Sequence, residues 1–485
     1  MTMQSNVHRV QNFSPDILII GAGPAGSACA IELCRLGYTV CLIDKAHFPR
    51  SQIGESLPPS IFPLLDYLGV RSMVEDASFI KAKRTKVIWG AQQFERDHSQ
   101  DMEGLNVDRG VFDNILVQAA AVNGADIQLG MKVSQKQRRS EDKRWDVIVH
   151  DGQDQHHLSP RFIVNACGRR GTISKERQRI GRAQLALYTY WNLSTDVGVQ
   201  DTFIETGEDN WGWCCKLSNK QAVVALFLDP SLIKGKGKTS LENIYLQRLK
   251  KKSFSKSVIN GFIKRPVQAC NASITRSSDP IMDGLIDVGD ACFAQDPLSS
   301  QGVQGAIAMA LQATAVVNTV LRNPKKQIDA ELFYKDKLEK KVVKHLEHIK
   351  EHCQEAYRHY RTEYWERRAD LPVRYNVRGV SIRKFQLTGA QIVTLGKDVK
   401  VVTIQVIRNS LIQEEVALWR PGLEAPIILA NTIPVVELLK TLYSAQRVEF
   451  LIFALRVFGP PEQLLMGLEY FVSIGLLVVC DQNRV

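Results

Sequence analysis

Residues 16–44, DILIIGAGPAGSACAIELCRLGYTVCLID, constrain this chain more than any other segment. The apolar run Ile17-Leu18-Ile19-Ile20 reads as a buried parallel strand, which feeds into Gly21-x-Gly23-x-x-Gly26 and an Ala-rich helix opening with Pro24-Ala25. Gly21 allows the tight strand-to-helix turn, Gly23 lets the backbone approach a pyrophosphate, and Gly26 lets the helix lie close to the sheet. The phosphates would rest on the helix N-terminus, where unpaired N–H groups and the helix dipole favour anions. A second strand, Tyr38 to Ile43, ends in Asp44, an acid placed to accept from a ribose hydroxyl. Glycine-rich turns also arise for steric reasons alone. Here strand, helix, strand and terminal acid fall within one βαβ unit, and the segment therefore predicts a dinucleotide site.

The 485 residues allow two or three domains, and 45% hydrophobic with 23% charged residues is ordinary for a soluble globular protein. No early segment joins a basic start, an apolar core and a small-residue cleavage site, and the apolar run Tyr470 to Cys480 is too short to span a bilayer. A cytoplasmic protein without a membrane span is the expectation. Ten cysteines without a CxxC pair argue against a zinc site or a disulfide framework. The net charge of +11 is concentrated at Arg169 to Arg182 and Lys234 to Lys256. Neither stretch is interleaved with aromatics, so both read as solvated basic surface, with a docking face for an acidic partner or large substrate as the sharper reading. Nucleic acid is not an expected partner.

After Asp44 and Lys45 comes Phe48-Pro49-Arg50-Ser51-Gln52-Ile53-Gly54-Glu55-Ser56-Leu57-Pro58-Pro59, a polar loop ahead of an apolar helix from Ser60 to Leu68. The pairing of GAGPAGS with PRSQIGESLPPS resembles the flavin monooxygenase superfamily of the p-hydroxybenzoate hydroxylase type. Within it, the pairing is similar to the branch of flavin-dependent halogenases and halogenase-like tryptophan-modifying proteins. That resemblance implies FAD as the cofactor. It also implies that Gly21, Gly23, Pro24, Ala25, Gly26, Asp44, Lys45, Arg50 and Ser56 hold its ADP half.

Three later segments fit the same pattern in order. Val107 to Asp113 opens a helix in which Arg109 would contact the FAD pyrophosphate or the flavin ring, the alternative being an exposed arginine at a helix N-terminus. Arg161 to Gly168 is an apolar strand closing on a small-residue turn, where Gly168 lets the cofactor pass. Gly284 to Ala291 and Gln295 to Val303 then precede a small-residue helix, Gln304 to Val320. In the superfamily this aspartate, here Asp290, accepts from a ribityl hydroxyl, and the Pro297 loop with Gln301, Gly302 and Val303 faces the isoalloxazine. Backbone N–H groups at that helix entry would stabilise negative charge on the flavin.

The catalytic side is less defined. Ser78 to Gly90 is similar to the halogenase stretch that carries an essential lysine; Lys81, Lys83 and Lys86 all lie near the place, with Lys83 the candidate taken forward, and an exposed strand edge blunted by lysines is the plain alternative. Halogenases carry a WxWxIP motif where this chain has Asn210-Trp211-Gly212-Trp213-Cys214-Cys215-Lys216-Leu217-Ser218. Aligned on Trp213, Cys215 replaces the second Trp and Ser218 the Pro, which counts against a halogenase. Trp211 and Trp213 share one strand face, where they either pack the core or stack on substrate. Glu55 is the best-placed candidate base because its loop is expected beside the substrate side of the flavin. The histidines 345, 348, 352 and 359 recur on a highly charged helix and read as a solvated face, with no metal site.

The fold class expected is α/β (α+β): a Rossmann-like FAD-binding domain with an inserted antiparallel-sheet substrate domain and a C-terminal helical, winged-helix-like domain. The boundaries expected are 14–182 and 279–325 for the two parts of the FAD domain, 183–278 for the substrate domain, 326–370 for long charged helices and 371–485 for the C-terminal module. The third helix of that module is poor in Lys and Arg, which disfavours DNA.

The resemblance implies an FAD-dependent monooxygenase that hydroxylates an electron-rich aromatic, such as free or peptide-bound tryptophan in tryptophylquinone cofactor biogenesis, through a flavin C4a-hydroperoxide. Alternatives are a flavin-dependent halogenase of a tryptophan or pyrrole substrate, an FAD-dependent prenyl-type reductase, and a maturation factor with structural FAD. No second GxGxxG follows a strand, so electrons would come from transiently bound NAD(P)H or a partner flavin reductase.

Overall fold

The computed structural model describes residues 14–97, 103–171, 173, 177–194, 201–235, 237–371, 385–442 and 444–480. Two compact units make up the chain, Met1–Val373 and Arg374–Val485.

The first unit is built on a six-stranded sheet in the order Ile281–Met282, Leu285–Asp287, Phe162–Asn165, Ile17–Ile20, Val40–Asp44, Asp126–Leu129. All its pairings are parallel except that of the short edge strand Ile281–Met282. Its central strands are fully buried apolar runs, as a parallel sheet covered on both faces demands. Helix Pro24–Arg35 packs between this sheet and helix Gly302–Arg322, with the Cys29 thiol 3.6 Å from the Ala310 carbonyl. Gly302–Arg322 is, among the described residues, the helix long and apolar enough to cross a membrane, and 67% of its most apolar window is buried inside the protein.

A second, larger sheet runs Phe262–Ile263, Leu185–Asn192, Gln221–Leu228, Asn210–Ser218, Thr202–Thr206, Arg84–Trp89, Gln92–Asp97. It extends beyond residues 183–278: Thr202–Thr206 pairs in parallel with Arg84–Trp89, so the hairpin 84–97 completes the sheet from an earlier part of the chain. One face packs Leu187, Trp191, Phe203, Cys214, Val224 and Leu226 against Tyr245, Leu249 and Phe254. The other presents rows set by register. Tyr190, Val223, Cys215 and Thr202 form one row, Tyr188, Ala225, Trp213 and Ile204 the next, and Ala186, Phe227, Trp211 and Thr206 a third.

Helix Gln327–Tyr360 corrects the expectation of a solvated charged helix. Its buried stripe includes Phe333, Tyr334, Leu338, Val342, His345, Ile349 and Cys353, so only the opposite face is wet. Along its length it fastens both sheets: the Tyr334 hydroxyl donates to the Asp287 carbonyl at 2.6 Å, and the Trp89 indole N–H donates to the His352 carbonyl at 2.8 Å.

The C-terminal unit contains helices Val435–Thr441, Val448–Ala454 and Pro461–Ser473, a hairpin of Lys400–Arg408 with Leu411–Trp419, and a three-stranded sheet of Gln446–Arg447, Ile392–Leu395 and Leu477–Val479. Its own core gathers Val393, Leu438, Val448, Leu451, Leu464, Leu468, Phe471 and Leu477.

Candidate functional site

The glycine-rich turn has the sterics of a cofactor cradle. A Cβ on Gly26 would collide with the Gly21 carbonyl, and one on Gly21, which has φ of +109°, would collide with the Ala166 carbonyl. Helix and strand ends therefore approach one another only with glycine at both positions. Gly23 is the helix N-cap and Pro24 its first residue, where the missing proline N–H costs nothing.

Around this turn the structure gathers most of the residues expected to hold FAD. Asp44 is buried, and accepts from the Ala22 N–H at 2.8 Å and the Ala46 N–H at 2.9 Å. The Arg50 guanidinium lies 3.2 Å from Asp44 and 3.2 Å from where a Cβ of Gly23 would be, while its buried Nε has no hydrogen-bond partner. The Nη2 end of this guanidinium, beside the Gly23 N-cap, is placed to meet a pyrophosphate. Lys45 is exposed beside Asp44, and Ser56 pairs with Asn106 on a short strand. On these contacts the residues present fit an FAD.

Arg109 is not an exposed N-terminal arginine. It is buried, with its guanidinium bonded to Asp113 at 2.9 and 3.1 Å and to the carbonyls of Ile53 and Gly54 at 3.1 and 3.3 Å. It therefore shapes the loop that carries Glu55.

Gly168, at φ +67°, follows the Phe162–Asn165 strand, with open space where a side chain would be. The Asn165 amide donates to Asp287 at 2.7 Å beneath it. Gly289 sits so tightly between the two main helices that a Cβ would be 2.9 Å from Ala25 and 3.4 Å from Ala306, which joins the two glycine motifs in space. Asp290 is half-buried, 3.2 Å from the Arg169 guanidinium, and its carbonyl accepts from Arg177. Arg169 also bonds the carbonyls of Ser273 and Gln295 at 2.9 and 2.6 Å. These two arginines, expected on a solvated basic surface, instead brace the Asp290 turn. Lys252 likewise is buried, and burial lowers its ammonium to about 8.

Pro297 starts a short 3-10 turn capped by the Asp296 carboxylate, which accepts from the Leu298 N–H at 3.0 Å. Gln301 is the N-cap of helix Gly302–Arg322, with Gly302 exposed and Val303 buried behind it. His345 holds this loop from outside: the Asp296 N–H donates to its Nε2 at 2.9 Å. Nothing local in the sequence marks His345, Arg169, Arg177, Asn165 or Asp287, because their partners lie far along the chain.

On the substrate sheet, Trp213 is 8% exposed and Trp211 stacks on Phe227 at 3.8 Å. Trp89, Trp211 and Trp365 form an edge-to-face cluster at 5.7 to 6.2 Å. The space beside it, lined also by Asp296, Ile349 and Arg368, holds only about 20 Å³, room for a water and not for an indole ring. That cluster is a clamp between sheet and helices.

Glu55 lies at the other end of the same face. It is 1% exposed; its Oε1 accepts from the Tyr190 hydroxyl at 2.7 Å and its Oε2 from the Gly54 N–H at 2.7 Å. Burial pushes its carboxyl up to about 7, against the lowering effect of those donors and of Arg109. The three candidate lysines lie elsewhere. Lys81 and Lys83 are 66% and 62% exposed and pair with Glu103 at 3.3 and 3.8 Å, and Lys86 pairs with Glu95 at 3.6 Å. Between Lys81 and Lys83 the inward position of the strand is Ala82.

A family model described as "FAD binding domain" matches residues 14–328. A tryptophan 2-halogenase of Chondromyces crocatus is 31% identical over 338 residues, covering 66% of this chain and 64% of that enzyme's length. Among solved structures, the flavin-dependent halogenase CmlS superposes with a TM-score of 0.76 at 18% identity, over 98% of this chain and 97% of its own. The peptidyl tryptophan dihydroxylase QhpG, described as essential for tryptophylquinone cofactor biogenesis, does so with a TM-score of 0.73 at 22% identity, over 96% of this chain and 100% of its own. The chain belongs to the FAD-binding domain family and is similar to flavin-dependent halogenases.

Proposed function

We propose that this protein is an FAD-dependent monooxygenase that hydroxylates an electron-rich aromatic ring of the tryptophan type, presented free or on a peptide or protein. The carrying observation is the strand Ile80–Ala82. Its lysine Lys81 and the following Lys83 point to solvent and are paired, while the inward position holds Ala82, which offers no amine to handle an oxidised halide. The likeness to a peptidyl tryptophan dihydroxylase supports the same reading, including a role in tryptophylquinone-type cofactor maturation.

In this reading FAD, when bound and reduced, activates O₂ and supplies one oxygen atom to the ring. NAD(P)H or a partner flavin reductase provides the two electrons, and the second oxygen atom leaves as water. The chain's own groups do the rest. Gly21 to Gly26, Asp44 and Arg50 hold the ADP half, and Asp290 and the Pro297 loop orient the other. Glu55, poised near neutral pH in a dry setting, takes up the proton that the ring loses when oxygen replaces hydrogen. Trp213, in the row beside Tyr190, offers the ring a flat apolar wall. A cytoplasmic setting is part of the same proposal.

A second reading, a halogenase, is favoured by the 31% identity to a tryptophan 2-halogenase. One experiment separates them. The FAD-loaded protein is supplied with a flavin reductase, NADH, O₂ and tryptophan or a tryptophan-containing peptide, with and without chloride or bromide, and the products are weighed. Gain of oxygen independent of halide supports the hydroxylase; halide-dependent replacement of hydrogen by halogen overturns it.

A further inference from the structure

Glu55 is sealed from water, so a proton it takes up has to leave through a neighbour. Among the described residues its carboxylate has two donors, the Gly54 N–H and the Tyr190 hydroxyl. A backbone amide cannot give up its proton and take another at neutral pH. A phenol can accept and donate through one oxygen.

Tyr190 is also the partner that reaches outward. It is half-buried on the strand Leu185–Asn192, and the guanidinium of the exposed Arg265 lies over its ring at 5.0 Å and bonds the Ser51 hydroxyl. The groups facing the pair are the Arg109 guanidinium from the helix behind the loop, the Cys215 thiol one strand over on the same sheet row, the Tyr188 phenol, whose ring meets that of Tyr190 edge-on at 6.4 Å, and Arg265. Arg109 favours an ionised Glu55, whereas Arg265 acts on the Tyr190 phenol, countering in part the effect of its burial. The Cys215 thiol is buried and held well above its ordinary range, so it stays protonated and takes no part.

We propose that Tyr190 relays protons between Glu55 and solvent, and is a positioning residue for the base rather than a substrate contact. Once Glu55 is protonated, its carboxyl gives the proton to the Tyr190 oxygen as the phenol O–H proton passes to water on the exposed side of the ring. The phenol ends neutral and Glu55 ends as carboxylate. The hydroxyl, which donates to Oε1 at rest, turns toward water before this transfer, and the proton it receives from Glu55 restores the bond to Oε1 seen here. No electrons move. The relay rests on Glu55 acting as the base, and the test keeps the two apart.

The test uses the FAD-loaded, reductase-coupled protein and the variants Tyr190→Phe, Glu55→Gln and Tyr188→Phe. Tyr188 is an aromatic neighbour on the same sheet face whose hydroxyl bonds Gln268, which makes it the control for lost packing or polarity. Carboxyl protonation is read by infrared difference spectroscopy in the resting protein, and turnover by pH profile and solvent isotope effect. Tyr190→Phe removes the donor that favours ionised Glu55, so both the carboxyl titration and the basic-form limb of kcat/KM move to higher pH by roughly one unit. In the same variant kcat falls about tenfold with a larger solvent isotope effect, and KM changes little. Tyr188→Phe leaves all of these in place. If Tyr190→Phe keeps the wild-type limb and isotope effect while Glu55→Gln abolishes turnover, the relay is wrong and the base stands. If Glu55→Gln turns over normally, the base falls and the relay with it.

Discussion

The backbone N–H of Asp296 donates to Nε2 of His345 at 2.9 Å, across 49 residues of sequence and inside a buried pocket edged by Phe293. Only a neutral ring with its proton on Nδ1 can accept this bond. Burial, aided by His348, Lys341 and Arg169, lowers the ring to about 4 from an ordinary 6.5. Above pH 6.5 the ring is neutral in both folded and unfolded chains, and its contribution is complete. As pH falls from 6.5 towards 4 the unfolded chain takes up a proton that the folded chain refuses, so stability declines by on the order of 3 kcal/mol. Denaturant midpoints across that window should show the decline. His345→Leu, which leaves the Asp296 N–H buried and unpaired, should remove the slope and lower stability at pH 7 by about 1–3 kcal/mol. His345→Gln, which keeps an acceptor, should recover part of the loss.

Glu55 works in the opposite direction. Its carboxyl is raised from 4.5 to about 7 by burial, so its contribution is full below pH 4.5 and is lost as pH climbs through 7, again on the order of 3 kcal/mol. Glu55→Gln should therefore unfold at higher denaturant concentration than wild type at pH 8, and show no such gain at pH 4. Equal stability of the two proteins at pH 8 would contradict the burial of an ionised carboxylate.

Arg50 places its Nη2 3.2 Å from where a Cβ of the Gly23 N-cap would be. A charged hydrogen bond to phosphate contributes about 1.5–3 kcal/mol, so Arg50→Ala should weaken FAD binding by roughly 10- to 100-fold. Fluorescence titration of the apoprotein with FAD measures it. Arg50→Lys should restore only part, since an ammonium lacks the fork of donors.

Replacing Lys81, Lys83 and Lys86 together by Met should change turnover by no more than about twofold, because all three are tied to Glu103 and Glu95 and not to the Glu55 site. A larger loss, or loss of halide-dependent product alone, would restore the halogenase reading.

The glycine turn was legible because a cradle for a dinucleotide needs particular sterics at fixed spacings: a Cβ at Gly21 or Gly26 would collide with backbone. The long helix was legible in extent, but its wet and dry faces were not. Charges dominate its composition, yet the stripe through Tyr334, His345 and Cys353 is set by what packs against it. Short strands such as Ile392–Leu395 and Gln446–Arg447 in the C-terminal unit carry too few residues for a period to show. Arg169 and Arg177 counted only as surface charge until the Asp290 turn came to lie beside them.

The sequence alone determined the parallel-sheet nucleotide fold, its FAD, and the order of the segments that enclose it, since these follow from local sterics repeated along one chain. Tertiary structure alone decided which distant polar groups meet. It turned Lys81 and Lys83 outward, packed Trp89 and Trp211 of the sheet with Trp365 into a clamp at one end, and brought Tyr190 across 135 residues to Glu55. Burial and partnership of this kind arise only when distant strands share a face.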